Sequence, residues 1–542
     1  MIYQTNKNLC FSVFVCGLIL FLSSYGFAQN QSKPATKILL IPLDDRPPCL
    51  QFPVRMGLIG DAEIVTPPKE LLGKFTVAGQ SDKIIEWLHN QDIKSFDAAI
   101  IALDMVAYGG LVAMRRHGDT TAADALKRIA VLRDLKKRAP KLPVYVQSVI
   151  MRLAPTGDGI NENYREKIAR WAEISPYSES KTETAKLENE IPAEVLADYR
   201  RARARDLQVN LKAVEFVRDG TIDYLILSQD DAKPRGIHVA DRERLNAEIA
   251  KMKLNDKIAV QPGADETAML LLARALNEHH NFSPKIKAVY SSEELANKAM
   301  PYEDRALRET VSFHIKATDS KEVADEKNAD LLFYVYASRF EPGRAASFAA
   351  EIAAQIKKGK RIIVADIDPK GDVQGGDPKF TAELGQRNLF RELNGYASWN
   401  TAGNTIGTAL PQGVVFAAAQ SKLMKSKAAA KRIWTAQNWF TFHRVLDDYY
   451  YHAPVRAKAK NYIVQNKWSS LRLSDEATEK VELFSRKLML EAFAELSGVY
   501  FGNNKNGLQK NVRCEKPDAM TFDLPWNRTF EAEIDFRLVC GN

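Results

Sequence analysis

The chain has 542 residues, with 76 lysines and arginines against 68 aspartates and glutamates, a formal net charge of +8. That length supports several packed units, and a hydrophobic content of 45% excludes a disordered polyelectrolyte. Basic residues are scattered and aromatic residues do not interleave with them, so no nucleic-acid partner is expected.

In chain order, Lys7 is the only charged residue before residue 29, an apolar run extends from Leu9 to Leu22, and Gly26-Phe27-Ala28 follows. This reads as a secretory signal peptide over residues 1–28, cleaved after Ala28. The apolar run is short of the ~20 residues of a membrane span, and no later segment is apolar enough to cross a bilayer. The mature chain is therefore expected to have no membrane span, in the periplasm or at the cell surface. Cys514 and Cys540 bracket a short β-like stretch and are expected to pair in that oxidising compartment. Cys49, beside two prolines, reads as a small buried thiol.

Apolar, β-branched runs then alternate with helical patterns: 37–43, 98–103, 144–150, 224–227, 258–260, 286–290, 331–336 and 362–365. They lack polar alternation, as strands buried on both faces of a parallel sheet do. The expected fold class is α/β, with parallel βα repeats, barrel-like or doubly wound. One α/β unit is expected over 35–285 and a second over 286–420. A helical region over 421–505 and a small β tail over 506–542 complete the chain. The run Arg200, Arg201, Arg203, Arg205 lies on a predicted helix and reads as a solvated face.

Ligands of parallel α/β folds bind where strands end, and carboxylates recur at these exits. The first strand opens into Asp44-Asp45-Arg46-Pro47-Pro48, the next into Asp104. A third ends at Arg152, an anion or carboxylate clamp. The strongest signal is Gln229-Asp230-Asp231-Ala232-Lys233, where two adjacent acids can push one carboxyl towards the protonated form that a general acid needs. Asp265 and Glu266 follow the next strand, and an acid-rich loop runs from Asp366 and Asp368 to Asp377. Trp399-Asn400-Thr401 with Asn404 opens a helix with an aromatic ring and amides suited to a sugar. Each acid also has an ordinary alternative as a helix cap or ion-pair partner. There is no Gly-rich dinucleotide fingerprint, P-loop, His-Glu-x-x-His zinc motif or Gly-x-Ser-x-Gly elbow, so no cofactor or metal is expected.

The strings Pro42-Leu43-Asp44-Asp45-Arg46-Pro47, Thr66 to Gly73, Ser228 to Ala232, Pro262 to Glu266 and Trp399-Asn400-Thr401 together resemble a bacterial family catalogued as domain of unknown function 4127. The resemblance spans most of the mature chain and implies one coherent site without assigning a reaction. On the residues alone, the expected function is an exported glycoside hydrolase acting on a carbohydrate or other small polar substrate. Asp230 or Asp231 is its expected general acid, and Asp44, Asp45, Asp104 or Asp265 its nucleophile or base. Arg46, Arg152, Gln229, Lys233, Glu266, Trp399, Asn400 and Asn404 are its expected substrate contacts. The alternatives are a metal-dependent hydrolase of envelope phosphoesters or peptidoglycan fragments, and a non-catalytic two-lobed binding protein.

Overall fold

Buried apolar runs alternating with helices fold into two open parallel sheets. The computed structural model describes residue 34, residues 36–502 and residues 513–541. The signal peptide expected over 1–28 lies outside the described residues.

The first sheet contains β1 (Thr36–Ile41), β2 (Ala62–Val65), β3 (Ala98–Ala102), β4 (Val144–Ile150), β5 (Tyr224–Gln229) and β6 (Ile258–Pro262), in the order β2-β1-β3-β4-β5-β6. The second contains β7 (Lys285–Tyr290), β8 (Lys321–Glu322), β9 (Leu331–Tyr336), β10 (Ile362–Asp366) and β11 (Leu393–Ala397), in the order β11-β10-β9-β7-β8. Counted within each sheet, both orders begin 2-1-3-4-5, a doubly wound arrangement with its crevice at the carboxyl ends of the strands. The fold is thus α/β with two open sheets, and neither closes into a barrel.

Side-chain alternation explains the layering. Ile38 and Leu40 of β1 face one core, and Leu39 and Ile41 face another. The first of these cores also takes in β9, β10 and β11. Helix Thr267–His280 packs on β3 and β4, helix Ala402–Lys422 packs on β10 and β11, and the two helices pack on each other. The second helix is buried from Ala402 through Ala419, as expected of an element covered on all sides.

Beyond it run the helices Lys427–Val445, Arg456–Gln465 and Asp475–Phe501. A π-helical stretch, Leu446–Val455, joins the first two and contains Pro454, whose missing N–H disfavours α-helical bonding there. Among the described residues no helix is long and apolar enough to cross a membrane.

Some details depart from the sequence reading. The strands β2, β8 and β11 were not expected; β8 is two exposed charged residues, and in β11 Asn394 and Gly395 interrupt the apolar run. Arg203 and Arg205 are buried, not solvated. Arg205 donates to the carbonyls of His117, Thr120, Met114 and Arg116, and Arg203 to Asp241 and the carbonyl of Arg152. Backbone carbonyls, with Asp241 for Arg203, receive the Nη groups of these guanidiniums, and a pattern of charges along a helix cannot reveal that.

The C-terminal strands are β12 (Arg513–Cys514), β13 (Asp518–Asp523), β14 (Glu533–Arg537) and β15 (Cys540–Gly541), paired antiparallel as β12–β15 and β13–β14. A disulfide joins Cys514 to Cys540 across 26 residues, while Cys49 is free and buried. Closing a loop of that length removes about 3–4 kcal/mol of chain entropy from the unfolded state. Thermal melts with and without reductant are expected to show a lower midpoint for the reduced chain. An unchanged midpoint would mean the staple contributes nothing.

Candidate functional site

A cleft of about 390 Å³ lies at the carboxyl ends of strands from both sheets. The β1 exit supplies Arg46, the β5 exit Asp230 and Asp231, and the β6 exit Gly263, Ala264 and Asp265. From the second sheet come Gln374 after β10 and Asn400, Thr401 and Asn404 after β11. The segment between β13 and β14 adds Trp526, Arg528, Thr529 and Phe530. Of the thirteen non-glycine residues with positive φ among the described residues, Asp231, Tyr302, Gln374 and Asn400 line this cleft. Backbone strain of this kind concentrates where function holds the chain in place.

Arg46 organises one wall. It is buried, with hydrogen bonds of 2.6 Å to Asp44, 2.7 Å and 3.0 Å to the two oxygens of Asp265, and 3.1 Å to Glu531. Its guanidinium lies 4.7 Å from the Trp526 ring, with Arg528 4.6 Å from the same ring. Trp526 also donates to Asp45 at 2.7 Å. Asp44 and Asp45 thus point to different partners, and neither lines the cleft. Burial pushes the Asp45 carboxyl up to about 6, and it pushes Asp265 up to about 6 in spite of the two Arg46 hydrogen bonds.

The opposite wall carries Asp230 and Asp231. Arg115 donates twice to Oδ2 of Asp230, at 3.1 Å and 2.5 Å, and Arg152 donates to Oδ2 of Asp231 at 2.5 Å. Each of these side chains is thus tied to an arginine through charge-assisted hydrogen bonds that it accepts. Asp104 stands behind this wall, fully buried, accepting from the Val149 N–H at 3.0 Å. Burial pushes it up to about 7, but it does not reach the cleft.

Two glutamates sit at the junction of the sheets. Glu303 lines the cleft and is 4% exposed. It accepts from the Gly403 N–H at 2.7 Å and the Thr310 hydroxyl at 3.3 Å. Burial pushes its carboxyl up to about 7 against the pull of the Gly403 N–H. Glu266 is wholly buried; it accepts from Asn404 Nδ2 at 2.5 Å and meets His314 Nε2 at 3.4 Å. Asn404 in turn accepts from Asn400 at 2.6 Å and from Thr401 at 3.0 Å. Glu266 therefore orients the amides that face the cleft and does not itself line it.

Close backbone packing fixes Glu266. A Cβ on Gly407 would lie 2.1 Å from its Cγ, and Gly263, at φ +90°, leaves no room for one beside its Oε1. Gly407→Ala is expected to displace Glu266, costing about 1–3 kcal/mol and disordering the Asn404 and Asn400 amides. Urea unfolding, with and without a bound ligand, checks both effects.

Other expected contacts fall elsewhere. Lys233 is 56% exposed and pairs with Glu173 at 2.8 Å on the surface. Gln229 is buried and donates to Asp304 at 3.1 Å, which ties the β5 exit to the segment carrying Glu303. Trp399 is a core residue: its Nε1 donates to Thr408 at 3.0 Å and its ring meets Phe52 edge-on at 6.0 Å. The aromatic surface of the cleft comes instead from Tyr302, Trp526 and Phe530.

The profile of the family described as Protein of unknown function (DUF4127) matches residues 38–535. The chain belongs to that family. No curated protein matches it.

Every part of the cleft in this DUF4127 chain falls within the matched span, including the C-terminal segment. Sequence reasoning missed Arg115, Arg165, Tyr302, Glu303, Gln374, Lys460, Trp526, Arg528 and Phe530. None sits just past one of the expected strands, and a residue's position on a helix or loop carries no signal of what faces it across the fold. In the acid-rich loop, Asp368 accepts the N–H groups of Lys370, Val373 and Gln374 at 3.1, 2.8 and 3.0 Å. That carboxylate shapes the turn that delivers Gln374. Among the described residues no group of three or more His, Cys, Asp or Glu side chains gathers in a metal-binding arrangement.

Proposed function

We propose that the cleft hydrolyses a glycosidic bond of a carbohydrate by carboxyl acid–base chemistry, in a protein exported to the periplasm or cell surface. The observation that carries this reading is Glu303, raised to about 7, lining the same cleft as the arginine-held Asp230 and Asp231. Carboxyl groups in contrasting environments divide acid and base roles. Glu303 gives its proton to the leaving oxygen as the glycosidic C–O bond breaks. Asp231, whose side chain is 37% exposed against 8% for Asp230, faces the sugar as nucleophile or as base for water. The Asn400, Asn404 and Gln374 amides suit sugar hydroxyls, and Phe530 offers a ring face. The Cys514–Cys540 bond fits an oxidising compartment.

The metal-dependent alternative has no gathered ligand set among the described residues. A non-catalytic binding protein remains the competing reading, because a cleft between the carboxyl ends of two sheets suits ligand capture equally.

The test is a screen of the full chain on neutral and acidic oligosaccharides, with and without EDTA, beside an Asp230→Asn, Asp231→Asn double variant. Release of reducing ends that survives EDTA and disappears in the variant is expected. Release abolished by EDTA favours the metal-dependent reading, and binding without release favours capture.

A further inference from the structure

The cationic residues of the cleft outnumber their acidic partners. Six line it: Arg46, Arg115, Arg152, Arg165, Lys460 and Arg528. Four are held by five carboxylates: Arg46 by Asp44, Asp265 and Glu531, Arg115 by Asp230, Arg152 by Asp231, and Arg528 by the shared Glu531. Arg165 and Lys460 are not. Among the described residues neither has an acidic group within 4.0 Å, and the one side-chain hydrogen bond that either makes is from Arg165 Nε to the Pro155 carbonyl, at 3.1 Å. That leaves the guanidinium Nη groups and the lysine ammonium uncommitted.

The two residues come from distant parts of the chain. Arg165 opens the helix Arg165–Ile174, and Lys460 lies on Arg456–Gln465, just past the π-helical stretch. Arg165 lies beside Gly157, whose neighbour Leu471 also lines the cleft. Lys460 is exposed to solvent, yet partial desolvation and the neighbouring Arg456 push its amine down, so an anion beside it would relieve a repulsion already present. Surplus positive charge in a concave, partly desolvated site focuses potential on anions.

We infer that the cleft takes a substrate bearing an oxyanion, a carboxylate, sulfate or phosphate, which Arg165 and Lys460 bind while the sugar ring lies against the carboxyl groups. This rests on the carbohydrate reading above and narrows it to an acidic saccharide. A guanidinium offers two parallel N–H donors to an oxyanion and an ammonium adds a compact charge. A neutral sugar would leave both unused.

Calorimetric titration of the full chain tests this with uronic-acid oligosaccharides, sulfated oligosaccharides, a neutral oligosaccharide of matching linkage, inorganic sulfate and inorganic phosphate. The same series is run on Arg165→Gln, Lys460→Gln and the double variant. An acidic saccharide is expected to bind tighter than the neutral one. Its affinity should fall roughly 10-fold in each single variant, more in the double, and with rising salt. The inorganic arms separate the sources: whichever free ion competes names the group recognised. Equal affinity for neutral and acidic sugars, or acidic-sugar binding unchanged in the double variant, overturns the inference. So does the absence of binding by every acidic probe. Neutral-sugar hydrolysis with no response to the variants would remove the anion subsite and leave the hydrolase reading standing. Anion binding lost in the double variant, with no hydrolysis of any sugar, would do the reverse.

Discussion

Glu303→Gln is expected to lower turnover by roughly 10²- to 10⁴-fold, the usual contribution of a positioned general acid, while leaving ligand binding largely intact. The amide keeps an oxygen for the Gly403 N–H and has no acidic proton to give. Wild-type turnover should be greatest where Glu303 is protonated and fall as pH rises through about 7. The stability effect has a definite sign. The Glu303 carboxyl moves from an ordinary 4.5 to about 7 in the fold, so the folded state holds an extra proton between those values. The stability this supplies is fully present below the unfolded value of 4.5 and is lost as pH rises through 7. Across that window the wild type should weaken relative to the glutamine variant by on the order of 3 kcal/mol. A glutamine variant that loses turnover and also unfolds at every pH would point to a structural role instead.

Arg46→Met is expected to cost about 3–5 kcal/mol, the usual penalty for removing one partner of a buried ion pair. The arginine is 4% exposed and holds Asp44, Asp265 and Glu531 together. Without it three carboxylates share a buried space with no cation directly between them, although Arg528 stays on Glu531. The loss should shrink as pH falls through about 6, because Asp265, raised to about 6 even beside Arg46, takes up a proton there and no longer needs the cation. Arg46→Lys should recover only part of the stability, because an ammonium cannot span the three acids as a guanidinium does. Urea unfolding at two pH values measures all of this. A loss under ~1 kcal/mol at neutral pH would show that the wall does not depend on this residue.

Strand exits were the most legible part of the site in the sequence. β5 and β6 are buried apolar runs, and the residues just past the end of a buried run must sit at a sheet edge. Arg46, Arg152, Asp230, Asp231, Asp265, Asn400 and Asn404 line the cleft accordingly. Position at an exit did not reveal which way a side chain turns. Asp104 turns inward to the Val149 N–H, Glu266 to Asn404 and Trp399 to Thr408, each satisfied by a neighbour that strand periodicity does not show.

The contacts that sequence could not supply are long-range. Glu531 meets Arg46 across 485 residues and Trp526 meets Asp45 across 481. The C-terminal strands read as a small β tail, yet the segment between β13 and β14 carries a wall of the cleft. Glu303 illustrates the same limit. Its elevated proton affinity comes from burial, and burial of a charged residue between helical segments is decided by packing alone.

Glu303, raised to about 7, should stay about half protonated at neutral pH among arginine-held carboxylates. Difference infrared spectroscopy of the full chain against Glu303→Gln, recorded across a pH titration, measures it without a substrate. A protonated-carboxyl C=O band present in the wild type, absent from the variant and lost with a midpoint of about 7 is the predicted result. No band distinguishing the two proteins above about pH 5 would show that Glu303 ionises like an ordinary glutamate, and would contradict the account.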